Sequence, residues 1–103
     1  MGNYLRVEKK DNDFLIHQVF SRIESIMTLP LDTLDTLIAL LKESKRGIGK
    51  YGSLPIRVVV AKAEDEVQEC VYIEWHYNAE DACHLGFWVS DRDDVLKELL
   101  TIL

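Results

Sequence analysis

Cysteine is scarce, with two in 103 residues. Two thiols do not make the disulfide framework of a small secreted domain. Cys70 and Cys83 also fall on opposite faces of the strands proposed below, which forbids a bridge without backbone movement. No apolar run approaches the ~20 residues that span a bilayer. The start, Met1-Gly2-Asn3-Tyr4-Leu5-Arg6, has no apolar signal stretch, and Arg6 stands where N-myristoylation expects Ser or Thr. A reduced, cytoplasmic protein is the expectation. Basic residues are the minority, 12 Lys and Arg against 18 Asp and Glu for a formal charge of −6. This disfavours non-specific binding to nucleic acid or to an anionic membrane surface and suits a basic protein partner.

Catalytic signatures are missing as well. There is no Gly-x-Ser-x-Gly elbow, no Walker loop and no paired His-Glu helix motif. Lys45-Arg46-Gly47-Ile48-Gly49-Lys50-Tyr51-Gly52 has the glycines and cations of a phosphate cradle. It leaves a helix C-terminus and enters a strand, the reverse of phosphate-loop order, and is read as a connector. Cys70, His76, Cys83 and His84 fit no usual zinc spacing, and no cofactor is expected. Acidic residues are dispersed over turns and caps, which does not build a nucleic-acid mimic. No repeat, low-complexity segment or linker stands out, so residues 1–103 read as one domain.

What the chain does have is 48% hydrophobic residues, sorted by period. Ile16, Val19, Phe20, Ile23, Ile26 and Met27 recur at helical spacing and predict a helix over Phe14–Met27, capped by Asp11-Asn12-Asp13 and ended by Leu29-Pro30. Leu34, Leu37, Ile38 and Leu41 predict a second, with Asp32 and Asp35 as a capping pair and Gly47 past its C-terminus. Val95, Leu96, Leu99, Leu100 and Leu103 predict a third, capped by Ser90 or Asp91. Residues 4–9 read as a short edge strand or an ordered tail.

Between the helices, Ile56–Ala63, Gln68–Tyr77 and Ala82–Val89 alternate as three strands joined by two hairpins. Register follows from polarity, because a one-residue slip swaps every side chain between faces. Pairing Ala63 with Gln68 and His76 with Ala82 puts Ile56, Val58, Val60, Val71, Ile73, Trp75, Cys83, Leu85, Phe87 and Val89 on one face. The expected fold is α+β, a two-layer sandwich of an antiparallel three-stranded sheet with helices on its apolar face, in the order ααβββα. Residues 4–9 are the candidate fourth strand.

The opposite face carries the chemistry. Arg57, Glu74 and His84 form a charged cross-strand row; Val59, Tyr72 and Gly86 a mixed one; Ala61, Cys70 and Trp88 a third. Aromatics and Arg are enriched where interfaces draw their energy, and Gly86 is expected to leave a dip for a partner's side chain. Arg57, Val59, Tyr72, Glu74, His84 and Trp88 are therefore the candidate partner-binding residues of a small, acidic, non-enzymatic protein-binding module. An inhibitor, an immunity-type protein or an adaptor would act stoichiometrically in this way. Two alternatives rank below it. Glu74, His76 and His84 could serve a small metal-dependent or acid–base enzyme, and the open faces of two copies could pack together as a homodimer.

Overall fold

A computed structural model describes residues 4–20, 23–62 and 68–103. The protein is α+β, with two antiparallel sheets of three and four strands and two helices. In chain order these are β1 (Tyr4–Lys10), β2 (Asp13–Phe20), β3 (Ile23–Pro30), α1 (Leu34–Glu43), β4 (Gly49–Ser53), β5 (Ile56–Lys62), β6 (Glu69–His76), β7 (Ala82–Trp88) and α2 (Arg92–Thr101). The order is thus βββαββββα, not ααβββα. No helix among the described residues is long and apolar enough to cross a membrane.

The helix expected over Phe14–Met27 is instead the hairpin of β2 and β3. The two periods select different apolar sets that share only Ile16 and Met27 as buried residues. Alternation buries Phe14, Ile16, Met27 and Leu29, whereas the helical reading used Ile23 and Ile26, which are exposed. Ser21 and Arg22 lie outside the described residues, and in the sequence Ser21 alone is of a type that marks a turn. Asp11-Asn12 is a two-residue turn between β1 and β2, not a helix cap. Asp11 adopts φ 55°, a left-handed conformation that Asp tolerates better than most side chains.

The residues at 4–9 do form a strand, but it belongs to the other sheet. The fourth partner of β5, β6 and β7 is β4, from the glycine-containing segment expected to be a plain connector. The register of β5, β6 and β7 is the expected one, from Ile56 opposite Trp75 to His76 opposite Ala82. The Ala63–Gln68 pair lies outside the described residues. Val58, Val60, Val71 and Ile73 are sealed from solvent, while Trp75, Cys83 and Val89 pack at the core margin. α1 buries Leu34, Leu37, Ile38, Leu40 and Leu41, and α2 buries Val95, Leu96 and Leu99. Leu100 and Leu103, assigned to the apolar stripe of the last helix, are exposed. Neither α1 nor α2 has a side-chain cap hydrogen bond. The Asp32/Asp35 capping pair is thus not realised, and Thr33 Oγ1 donates to the Pro30 carbonyl instead.

The two halves of the chain repeat one unit. Inward rows Leu5–Gln18–Ser25, Val7–Ile16–Met27 and Lys9–Phe14–Leu29 of the small sheet match Ile56–Trp75–Cys83, Val58–Ile73–Leu85 and Val60–Val71–Phe87 of the large one. In each half the third strand runs straight into a 3-10 turn, Leu31–Thr33 or Val89–Asp91, and then a helix. The buried helix positions Leu34, Leu37, Ile38 and Leu41 correspond to Arg92, Val95, Leu96 and Leu99. Packing is reciprocal: α1 lies against β5, α2 against β1, the helices against each other, and β3 against β7. The identities that survive (Arg6 and Arg57, Val7 and Val58, Ile16 and Ile73, Asp35 and Asp93, Leu41 and Leu99) are scattered and lie at unequal offsets, so the repeat is hidden in the residues.

Candidate functional site

The alternation that buries one side of β5–β7 turns Arg57, Val59, Tyr72, Glu74, His76, His84 and Trp88 to the other. α1 lies against β5, whose buried residues Ile56, Val58 and Val60 are on the opposite side of the strand from Arg57 and Val59. Arg57, Val59, Tyr72, Glu74, His76 and Trp88 are half-buried, and His84 is exposed. All six candidate partner-binding residues therefore lie on one face, in the expected rows. β4 adds exposed Lys50, which pairs with Val59.

Glu74 organises the charged row. Arg57 Nη2 donates to Glu74 Oε1 at 2.9 Å, His76 Nε2 lies 3.2 Å from the same oxygen, and His84 Nε2 is 3.9 Å away. The two imidazoles meet edge to face, with ring centres 6.5 Å apart. Burial works to raise the Glu74 pKa. The hydrogen bonds from Arg57 and His76 and the charges of Arg57 and His84 outweigh it, so the carboxyl sits below its ordinary value. Among the described residues, no three His, Cys, Asp or Glu side chains are placed to hold a metal ion. The guanidinium on Oε1 opposes a cation there, and Arg57 Nε is buried without a partner.

Gly86 does not leave a dip. A Cβ built there would come within 2.9 Å of Tyr72 Cδ1 and Cε1, so the Tyr72 ring already lies over it. The glycine receives a side chain from its own cross-strand neighbour. Burial, followed by the neighbouring Cys70 thiol, pushes the Tyr72 phenol up. Cys70 is buried, and both cysteines are free thiols. The position over Gly86 is therefore filled by Tyr72, with Val59 and Trp88 on the same face.

Three features were not anticipated. Gln18 is buried in β2 and donates from Nε2 to the carbonyl of Gly86, tying the small sheet to the edge strand of the large one. Beside it lies a cleft of about 580 Å³, bounded by Leu5, Gln18, Phe87, Trp88, Val95 and the acidic side of α2. Arg92 is buried, with Nε and Nη1 unpartnered. A glutamine as the third inward residue after Phe14 and Ile16 was the available signal, but only once the segment is read as a strand. Comparison with known proteins finds no matching family model, no similar curated protein and no similar solved structure.

Proposed function

We propose that this chain is a small acidic, non-enzymatic protein-binding module of the inhibitor, immunity-type or adaptor kind. It acts stoichiometrically through the outer face of β5–β7, in the cytoplasm. One observation carries the reading: the face of the large sheet opposite the buried residues of β5–β7 holds Val59, Tyr72 and Trp88 beside Arg57, Glu74 and His84. The Tyr72 ring fills the one hollow a glycine would leave there, and small ligands need concave sites that bury most of their surface, so a protein partner is favoured. The formal charge of −6 favours a basic partner.

The acid–base alternative at Glu74, His76 and His84 is weaker. A carboxylate held below its ordinary pKa by a fixed guanidinium is a poor general base near neutral pH. The homodimer remains the competing use of the same face, and sedimentation at several concentrations separates it. A strict monomer removes it.

Val59→Asp and His84→Asp test the main reading, since both place charge on the face without emptying the core. The immobilised wild-type chain is expected to retain a partner from native cell extract, and each variant to lose it while melting within a few degrees of wild type. Identical retention by wild type and both variants would remove the face from the argument.

A further inference from the structure

The internal repeat is unequal in one place. β5 carries β4 on its outer edge, and β4 also rests on α1, where Gly52 approaches the Leu40 side chain closely enough that a Cβ would meet it at 2.7 Å. β1, the counterpart of β5, is an edge strand, and no described strand pairs along its outer side. The counterpart of Leu40 is Glu98, and that of the large Trp75 is the smaller Gln18. The cleft lies beside Leu5, Gln18 and Glu98, at one end of β1. One half therefore carries an edge strand and a large inward side chain that the other lacks.

We propose that this cleft accepts an extended segment of a partner protein, which adds to the Leu5 end of β1 as β4 adds to β5. Edge strands offer an unpaired row of backbone donors and acceptors, and strand addition is an established mode of peptide recognition. Leu5, Phe87 and Val95 supply an apolar floor. Asp91, Asp94 and Glu98 line the wall with Lys97 as the single cation. An inserted strand presents alternate side chains to its two sides, so the matching segment alternates apolar and basic residues. Lys9 and Lys10 are exposed at the far end of β1, and charges of this kind guard an edge against pairing. Addition is thereby confined to the Leu5 end. The inference shares with the proposed function only the premise that the partner is a protein, and its site is separate except at Trp88, which borders both.

The test uses the full chain and a short blocked peptide in which lysine alternates with valine, with amide NMR as the readout. The peptide is expected to shift the amides of Leu5 to Val7 and of Asp94 to Glu98. Asp94→Lys combined with Glu98→Lys is expected to weaken binding by about ten-fold or more. N-methylation of alternate peptide amides, which keeps the side chains but blocks pairing, is expected to abolish it. Val59→Asp is expected to leave peptide binding unchanged, so failure here and failure of the sheet-face reading are separable. Several results would overturn the proposal. These are no shift at β1 with millimolar peptide, equal binding of a glutamate–valine peptide, or survival of binding after N-methylation. Shifts at Leu5 to Val7 that grow with protein concentration alone would do so as well, giving the edge to a second copy.

Discussion

Glu74 shows how one carboxylate can set the character of a surface. It is shielded on a sheet face and takes its stability from Arg57 and His76, with His84 further off. Its pKa is depressed in the folded state, and the sign of the pH effect follows. A carboxyl of this kind stabilises the fold fully above its unfolded pKa, about 4.3 for Glu, and loses that contribution as pH falls through the folded value. Replacing Glu74 with Gln removes the titrating group and leaves Arg57 without its partner. The variant is expected to be less stable than wild type in urea denaturation at neutral pH. The gap should begin to narrow at about pH 4.3, where the carboxyl of the unfolded chain takes up its proton, and close as pH falls through the lower folded value. A gap of constant size from neutral to acid pH would mean that the ionised carboxylate carries none of the stability.

The strands and helices explain what could be read from residues alone. β5, β6 and β7 were legible because their inward and outward sets differ so sharply that a single register satisfies both. α1 and α2 were legible because Leu37, Ile38 and Leu41, and Val95, Leu96 and Leu99, recur at helical spacing. β2 and β3 were not, since Ile16, Val19, Ile23 and Ile26 recur at helical spacing although only Ile16 of them is buried, and Gln18 interrupts the inward set. β4 was hidden by its glycines, which weaken strand propensity, although Gly52 is needed there. Its φ of 86° disfavours any other residue, and an added Cβ would also push on the Leu40 methyls. The outer-face residues were placed correctly because they depended only on the legible register. The cleft was not, because it depends on β1, β2 and their relation to α2.

The repeated unit also identifies a residue that breaks its own local rule. Arg92 occupies the position of Leu34, buried at the start of its helix, yet two of its nitrogens lack partners. A buried donor without an acceptor costs roughly 1–3 kcal/mol, and more when charged, whereas an apolar replacement of similar shape can be neutral or stabilising. Arg92→Leu, which copies the other half, is expected to leave the melting temperature unchanged or raise it. A marked fall would show that the guanidinium has a stabilising role that these unpartnered nitrogens do not reveal.

The reciprocal packing makes the two halves mutually dependent. The first unit places α1 against β5 of the second, and the second places α2 against β1 of the first. Neither half keeps a helix over its own first strand, so a separated half exposes Val7, Ile16 and Met27, or Val58, Ile73 and Leu85. Burial of such side chains is worth about 1.5–3 kcal/mol each, a large fraction of a domain's net stability. Division between Gly47 and Ile48 cuts at a point where a Cβ on Gly47 would meet nothing within 4 Å and Ile48 is exposed. Fragments 1–47 and 48–103 are each expected to lack dispersed amide resonances alone and to regain them when mixed in equal amounts. A dispersed spectrum from either fragment alone would show that its sheet keeps its own apolar face covered, and the exchange of helices would no longer explain what holds the fold together.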